Sequence, residues 1–173
     1  MNVINEAANL LSQQKVIGWY QGHGEIGPRA LGNRSILMDP RVPDGKRIVN
    51  LIKKRENYRP FGASVLEEYA KDYFDILWPD PYMLYFFEVK VSYLKSITHI
   101  DGTCRVQTVS KRDNPLFRKL LERFYEITGC PVLLNTSLNV AGKPLAAYPR
   151  DAMELFNNSS IDAMIVGEQV YKK

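Results

Sequence analysis

The amino-acid sequence predicts an α/β domain with a mixed, twisted β-sheet flanked by helices. Short apolar runs rich in β-branched and aromatic residues alternate with stretches of helical period, and Gly, Pro, Asn and Asp mark the boundaries. With 173 residues, 45% hydrophobic and 24% charged, the chain has the size and polarity of one core, so residues 1–173 are expected to form a single domain.

Each element has its own signal. Residues 4–13 place Ile4, Ala7, Ala8 and Leu11 on one helical face, and "KVIGWY" supplies a first strand. After a Gly-rich loop, "SILMD" (35–39) reads as a second strand. Asp44 caps a helix expected from Gly45 to about Glu56, with Ile48, Leu51 and Ile52 inward and Lys46, Lys53 and Lys54 outward, and Pro60 ends it. "GASVLEEYAKDYF" (62–74) gives a strand followed by a short helix, and "YMLYFFEVKV" (82–91) is the strongest strand signal in the chain. Past a loop at 93–103, "CRVQTV" alternates Cys104, Val106 and Thr108 against Arg105, Gln107 and Val109. Asp113 or Asn114 starts a helix carrying Leu116, Leu120, Leu121, Phe124 and Ile127, and Gly129 closes it. "PVLLN" is a buried strand, "PRDAMELFNN" a helix, and "AMIVGEQVYK" a strand with room for a hairpin partner.

No repeat, low-complexity linker, membrane-length apolar window or secretory leader interrupts this pattern, so a cytoplasmic location and no membrane partner are expected. Cys104 and Cys130 lie outside any CxxC or His-rich spacing, which argues against a disulfide scaffold or structural zinc and leaves two buried, reduced packing residues. His23 and His99 are isolated from carboxylates, so neither is assigned to a metal, and no metal-binding residue is expected. The net charge of +4 suits anionic ligands without the run of a polybasic tail.

Four polar clusters interrupt the apolar pattern, and their positions at strand and helix ends suggest one site. In "GPRALGNRS", Gly27 and Gly32 allow close backbone approach, Arg29 and Arg34 offer planar forks for phosphate or carboxylate, and Asn33 and Ser35 add neutral hydrogen bonds. It is neither a Walker loop nor a GxGxxG turn. "KKRENYRPFG" (53–62) crowds Lys53, Lys54, Arg55 and Arg59 at a helix end; the same cations would also favour the helix dipole. "DGTCRVQT" sets Arg105 and Gln107 on one strand face, which a plain hairpin with a polar face would do as well. "LLNTSLN" (133–139) closes a buried strand with Asn135, Thr136, Ser137 and Asn139, groups fitted to orient an amide or carbonyl, or to form a capped turn. No Ser-His-Asp or Cys-His grouping is legible. Such an inventory fits phosphoryl or nucleotidyl transfer, in which the protein positions reactants and stabilises charge, and a divalent cation arrives with the nucleotide.

In combination, "GWYQGHGEIGPRALGNRSILMDPR", "KKRENYRPFGASVLEE", "HIDGTCRVQTV" and "PVLLNTSLNVAGKPL" closely resemble the C-terminal domain of the NodU/CmcH family of O-carbamoyltransferases, over about residues 10–170. The resemblance implies a YrdC-like fold that converts ATP and carbamoyl phosphate, or the carbamate derived from it, to carbamoyl adenylate with Mg on the nucleotide. It implies as partner a Kae1-like transfer domain, in cis or as a separate chain, which is absent from these 173 residues and would carbamoylate an acceptor hydroxyl. "KKR" and "SLN" resemble the KxR and SxN elements of that fold. The resemblance puts Lys54, Arg55 and Arg59 on the ATP phosphates, with Asn135, Ser137 and Asn139 on nucleotide and carbamoyl group. Arg29, Arg34 and Arg105 fall around carbamoyl phosphate, supported by Asn33, Ser35, Gln107 and Thr136; Arg29, Arg34, Arg59 and Arg105 are the expected catalytic groups. His23 stands where relatives carry Arg, and Leu138 where they carry Phe. Two other readings are an RNA-binding module and a catalytically silent nucleotide-binding or docking domain. The cations sit among Gly and Asn rather than in an aromatic and basic stripe, which argues against nucleic acid.

Overall fold

The computed structural model describes residues 3–173. Its helices are α1 (Val3–Ser12), α2 (Gly45–Ile52), α3 (Ala70–Tyr73, entered through a 3₁₀ turn at Glu67–Tyr69), α4 (Pro115–Thr128) and α5 (Pro149–Asn157). Its strands are β1 (Ile17–Tyr20), β2 (Arg34–Met38), β3 (Gly62–Leu66), β4 (Phe86–Glu88), β5 (Thr103–Val109), β6 (Val132–Ser137), β7 (Ala163–Val166) and β8 (Gln169–Lys172). All eight strands form one sheet in the order β4-β5-β3-β6-β2-β1-β7-β8. The β3/β5 and β1/β7 pairs are parallel and the other pairs antiparallel, so the sheet is mixed as expected, with β7 and β8 the anticipated hairpin. Among the described residues no helix is long and apolar enough to cross a membrane.

The ends of α4 follow local chemistry, whereas Asp44 stands before α2 without a side-chain capping bond and pairs with Arg47. Asn114 accepts the Phe117 amide (3.0 Å) as the N-cap of α4, Pro115 fills the first turn, and Gly129 closes the helix in the left-handed conformation. Within α4 the inner face is Phe117, Leu120, Leu121 and Phe124, whereas Leu116 and Ile127 are each more than a third exposed. Arg118 replaces them inside, bridging Glu68 (2.6 Å) and Glu122 (2.9 Å). Cys104 and Cys130 are buried and free.

Two expected elements are shorter than the sequence suggested. The helix from Gly45 stops at Ile52, because Arg55 N–H reaches back to Asn50 O (3.1 Å) and Lys54 N–H to Leu51 O (3.1 Å), with Lys54 left-handed. That closure rotates Lys53 inward, to 3% exposure, and leaves Leu51 outside at 56%, the reverse of the amphipathic expectation. The 82–91 run contributes only Phe86–Glu88. The buried Asp80 carboxylate captures the amides of Tyr82, Leu84 and Tyr85 and folds residues 82–85 into a turn, overriding strand propensity there, while Val89 forms an isolated bridge to Phe74.

What the sheet does for function is set by register. Phe86, Arg105, Gly62, Asn135 and Leu37 stand opposite one another across β4, β5, β3, β6 and β2. Residues directly opposite share a face. One row therefore carries an arginine, a gap with no side chain, and an amide.

Candidate active site

Above that row lies a cleft of about 300 Å³, lined among others by Arg29, Arg55, Gly62, Arg105, Asn135, Thr136 and Ser137. All four polar clusters of the sequence thus contribute to its wall, the helix-end cluster through Arg55. Neither Arg29, Arg55 nor Arg105 makes an ion pair with a carboxylate among the described residues. Arg55 is aimed by Asn50 Oδ1 (2.6 Å) and lies 4.4 Å over the Phe61 ring; Arg105 lies 4.1 Å over Phe86. Burial lowers the pKa of both guanidiniums, and the neighbouring cation adds to it: Arg59 beside Arg55, Arg29 beside Arg105. Arg55 and Arg105 each stand beside another guanidinium without an ion pair of their own among the described residues, which makes the cleft a candidate anion site.

The floor is neutral and tightly bonded. Ser64 Oγ donates to Gln107 Oε1 (2.7 Å), Asn135 Nδ2 donates to Ser64 Oγ (2.9 Å) and Ala30 O (3.1 Å), and Gln107 Nε2 donates to Leu31 O (3.0 Å). Gln107 is therefore a support beneath the cleft, not part of its lining. The Asn135 Oδ1 is buried with no hydrogen-bond partner among the described residues. A buried acceptor left open in a site of this kind fits an N–H donor from a ligand.

The loop 21–33 is shaped from inside by Glu25, whose carboxylate accepts the amides of Leu31 (2.7 Å), Asn33 (3.1 Å) and Arg34 (3.1 Å). Its pKa is raised, because burial outweighs those donors. Gly32, at φ +99°, has no room for a side chain: a Cβ would stand 2.2 Å from the Phe117 ring. Arg34, Asn33 and Ser35 belong to this framework rather than to the cleft, which corrects the expectation that they line it. Arg34 is 3% exposed, donates to Gln21 O and Asn33 O, and lies 3.6 Å from the centre of the Tyr20 ring. Asn33 bonds Glu25 (3.3 Å) and accepts from Asn114 (3.3 Å); the Ser35 hydroxyl accepts Gly32 N–H (3.2 Å). Asn33 precedes β2 and Arg34 and Ser35 open it on opposite faces, each held by the loop and strand contacts just described.

Arg59 is exposed, paired with Glu56 (2.9 Å), and borders an adjoining groove with Lys54 and Arg55 instead of the cleft itself. Lys54 continues that groove into a second pocket of about 320 Å³, whose lining includes Asn139 and Leu138. Between the groove and the cleft sits Lys53, which the sequence reading turned outward. Its Nζ donates to Ser137 O (2.5 Å), Ser137 Oγ (3.1 Å), Asn139 O (2.9 Å) and Asn139 Oδ1 (3.0 Å). The K-x-R spacing pairs Lys53, not Lys54, with Arg55, and that spacing was the available signal. His99 also lines the cleft; its Nε2–H meets Phe61 O (3.0 Å), and burial lowers its pKa, so it stands as a neutral wall. His23 lies exposed on the loop.

The profile of the carbamoyltransferase C-terminus family matches residues 8–173. The chain is 42% identical to the nodulation protein NolO of Bradyrhizobium diazoefficiens, over 99% of this chain and 33% of that protein. It is 39% identical to the 3'-hydroxymethylcephem-O-carbamoyltransferase of Amycolatopsis lactamdurans, over 98% of this chain and 33% of that protein. The chain thus spans about a third of the length of these curated relatives. Among solved structures, full-length HypF in its phosphate- and nucleotide-bound form superposes with a TM-score of 0.70 at 19% identity, covering 94% of this chain and 24% of HypF. YciO of E. coli superposes at 0.68 and 14% identity, over 98% of this chain and 87% of YciO. These likenesses bear out the YrdC-like architecture, and the profile and relatives bear out the family: this chain belongs to the carbamoyltransferase C-terminus family.

Proposed function

We propose that this domain joins carbamate to AMP, using ATP and carbamoyl phosphate, and hands the carbamoyl adenylate to a Kae1-like transfer domain for delivery to an acceptor hydroxyl. The observation that carries the reading is the convergence of Arg29, Arg55 and Arg105 on one cleft with no carboxylate partner among the described residues. Two anionic reactants repel each other, and fixed cations at a half-buried site offset that repulsion by several kcal/mol.

In this reading carbamoyl phosphate is cleaved by water to carbamate and phosphate under Arg29 and Arg105. A carbamate oxygen then bonds to the α-phosphorus of ATP as the bond from that phosphorus to the bridging oxygen breaks, and pyrophosphate departs. Lys54, Arg55 and Arg59 hold the triphosphate. Ser137 and Asn139, fixed by Lys53, orient the reacting end, while Asn135 Oδ1 accepts from the carbamate nitrogen. The chemistry of the donor set fits a nucleotide, since cations and amides outnumber acids around the cleft. Magnesium would ride on the phosphates, supplying charge neutralisation there.

The test is exchange of labelled pyrophosphate into ATP, dependent on carbamoyl phosphate. The chain is expected to catalyse it, and Arg105→Ala or Arg29→Ala to lower it by about 100-fold, the usual loss for one donor to a developing charge. Measurable ATP binding with no exchange in the unmodified chain would overturn the reading in favour of a silent docking domain.

A further inference from the structure

Within the aromatic run at 82–86, Tyr82, Leu84, Tyr85 and Phe86 are all exposed, yet Met83 is 4% exposed. Its φ is +57°, a left-handed conformation that an unbranched side chain adopts only under constraint. Asp80 supplies the constraint. Its carboxylate accepts Tyr82 N–H (3.2 Å), Leu84 N–H (2.8 Å) and Tyr85 N–H (2.9 Å), while its own carbonyl accepts Thr108 N–H (2.9 Å) from β5. The turn is thereby fastened to the sheet, and one side chain of the run is driven into the cleft.

The place it fills is the gap in the side-chain row. A Cβ added to Gly62 would lie 2.7 Å from Met83 Sδ and 3.1 Å from its Cε, and Gly62 stands between Arg105 and Asn135. Arg55 borders both the cleft and the groove of Lys54 and Arg59, and in the adenylate-forming reading the triphosphate lies on that side. Met83, from the turn before β4, lines the cleft with Phe86 of β4 and Arg105 of β5, and none of the three borders that groove.

We propose that Met83 is the specificity-determining residue of this site: its thioether closes the carbamate end, so unsubstituted carbamate is activated and N-alkyl carbamates are excluded. The inference rests on the adenylate-forming reading above. In this reading the carbamate nitrogen pairs with the buried, unpartnered Asn135 Oδ1, and a methyl group on it would contend with the Met83 methyl for the space Gly62 leaves. One methylene in an apolar pocket changes selectivity by about 10- to 200-fold, which sets the scale. Methionine suits the task, since it fills an irregular gap without adding a polar group.

The experiment compares pyrophosphate exchange driven by carbamoyl phosphate with that driven by N-methylcarbamoyl phosphate. The bonds made and broken are the same; the added methyl is the only difference. The unmodified chain is expected to favour carbamoyl phosphate by about 50-fold, Met83→Ala to narrow that ratio by about 10-fold, and Met83→Leu to keep it. A ratio within twofold of the unmodified value in Met83→Ala overturns the proposal. Methyl-labelled methionine in the unmodified chain supplies a readout independent of any variant's folding: the Met83 resonance should shift on adding carbamoyl phosphate while Met153 does not, and an unmoved Met83 overturns it. No exchange with carbamoyl phosphate would defeat the adenylate reading and this inference together; exchange with an unchanged ratio would defeat this inference alone.

Discussion

Lys53 shows how one side chain can be read correctly as important and wrongly as to direction. An ammonium at 3% exposure with four oxygens around it is satisfied in hydrogen bonding, but carbonyl, hydroxyl and amide oxygens carry only partial charge. Burial therefore wins, and with Arg55 nearby it pulls the Lys53 pKa from its ordinary 10.5 down to about 7. The sign of the consequence follows from proton counting. Between pH 7 and 10.5 the unfolded chain holds a proton here that the folded chain has released, so stability rises with pH across that window. The contribution is complete above the unfolded value and lost as pH falls through the folded one. Chemical denaturation at a series of pH values should show the unmodified chain gaining a few kcal/mol over this range relative to Lys53→Met, at about 1.4 kcal/mol per pH unit. Parallel curves for the two proteins would show that Lys53 is not held at a depressed pKa.

At the scale of elements, two helices end by the same closure with different purposes. In α1, Lys15 N–H reaches Leu10 O (3.1 Å) and Gln14 N–H reaches Leu11 O (2.9 Å), with Gln14 at φ +63°; in α2 the corresponding residues are Arg55 and Lys54, the latter at φ +51°. Glycine is the residue that this position normally takes, and a side chain there costs about 1 kcal/mol. Gln14 borders none of the cavities described above, whereas Lys54 borders both the 320 Å³ pocket and the groove of Arg55 and Arg59. Strain kept at a cavity-lining position points to use of the side chain. Gln14→Gly and Lys54→Gly should each raise thermal stability slightly, by at most about 0.5 kcal/mol after the entropy of glycine is subtracted. Only Lys54→Gly should also weaken ATP binding, by about tenfold, in a fluorescence titration. Equal ATP affinities in the two variants would remove Lys54 from the nucleotide site.

For the whole molecule, elements with one dominant period were legible, and those decided by a distant partner were not. The α1 face, the Asn114 and Gly129 caps and the strands of the central sheet came from local pattern, whereas the 82–85 stretch lost to the Asp80 carboxylate and the 53–56 turn lost to backbone closure. At the site, Arg29, Arg55, Arg105, Asn135, Thr136 and Ser137 converge as their clusters suggested. Arg34 could not be told from Arg29 by composition, because its burial rests on the Gln21 and Asn33 carbonyls and the Tyr20 ring; Glu25 and Met83 likewise act through contacts that no spacing encodes. The same convergence predicts a global property. Arg29 and Arg105 repel each other without a carboxylate partner, and the Arg105 bonds to Met83 O (3.5 Å) and Leu84 O (3.3 Å) are long, so the fold gains little from these charges. The double variant Arg29→Gln with Arg105→Gln should melt at or slightly above the temperature of the unmodified chain when no ligand is present. Tripolyphosphate at about 100 times its Kd should stabilise the unmodified chain by about 2.7 kcal/mol, which for a domain of this size is a rise of roughly 5 to 10 °C in Tm. That rise should shrink to a small fraction in the double variant, since the charges that bind the anion are the ones removed. A fall of several degrees in the ligand-free variant would instead mean that these arginines hold the fold together, and the cleft would lose its claim to be an anion site bought at the expense of stability.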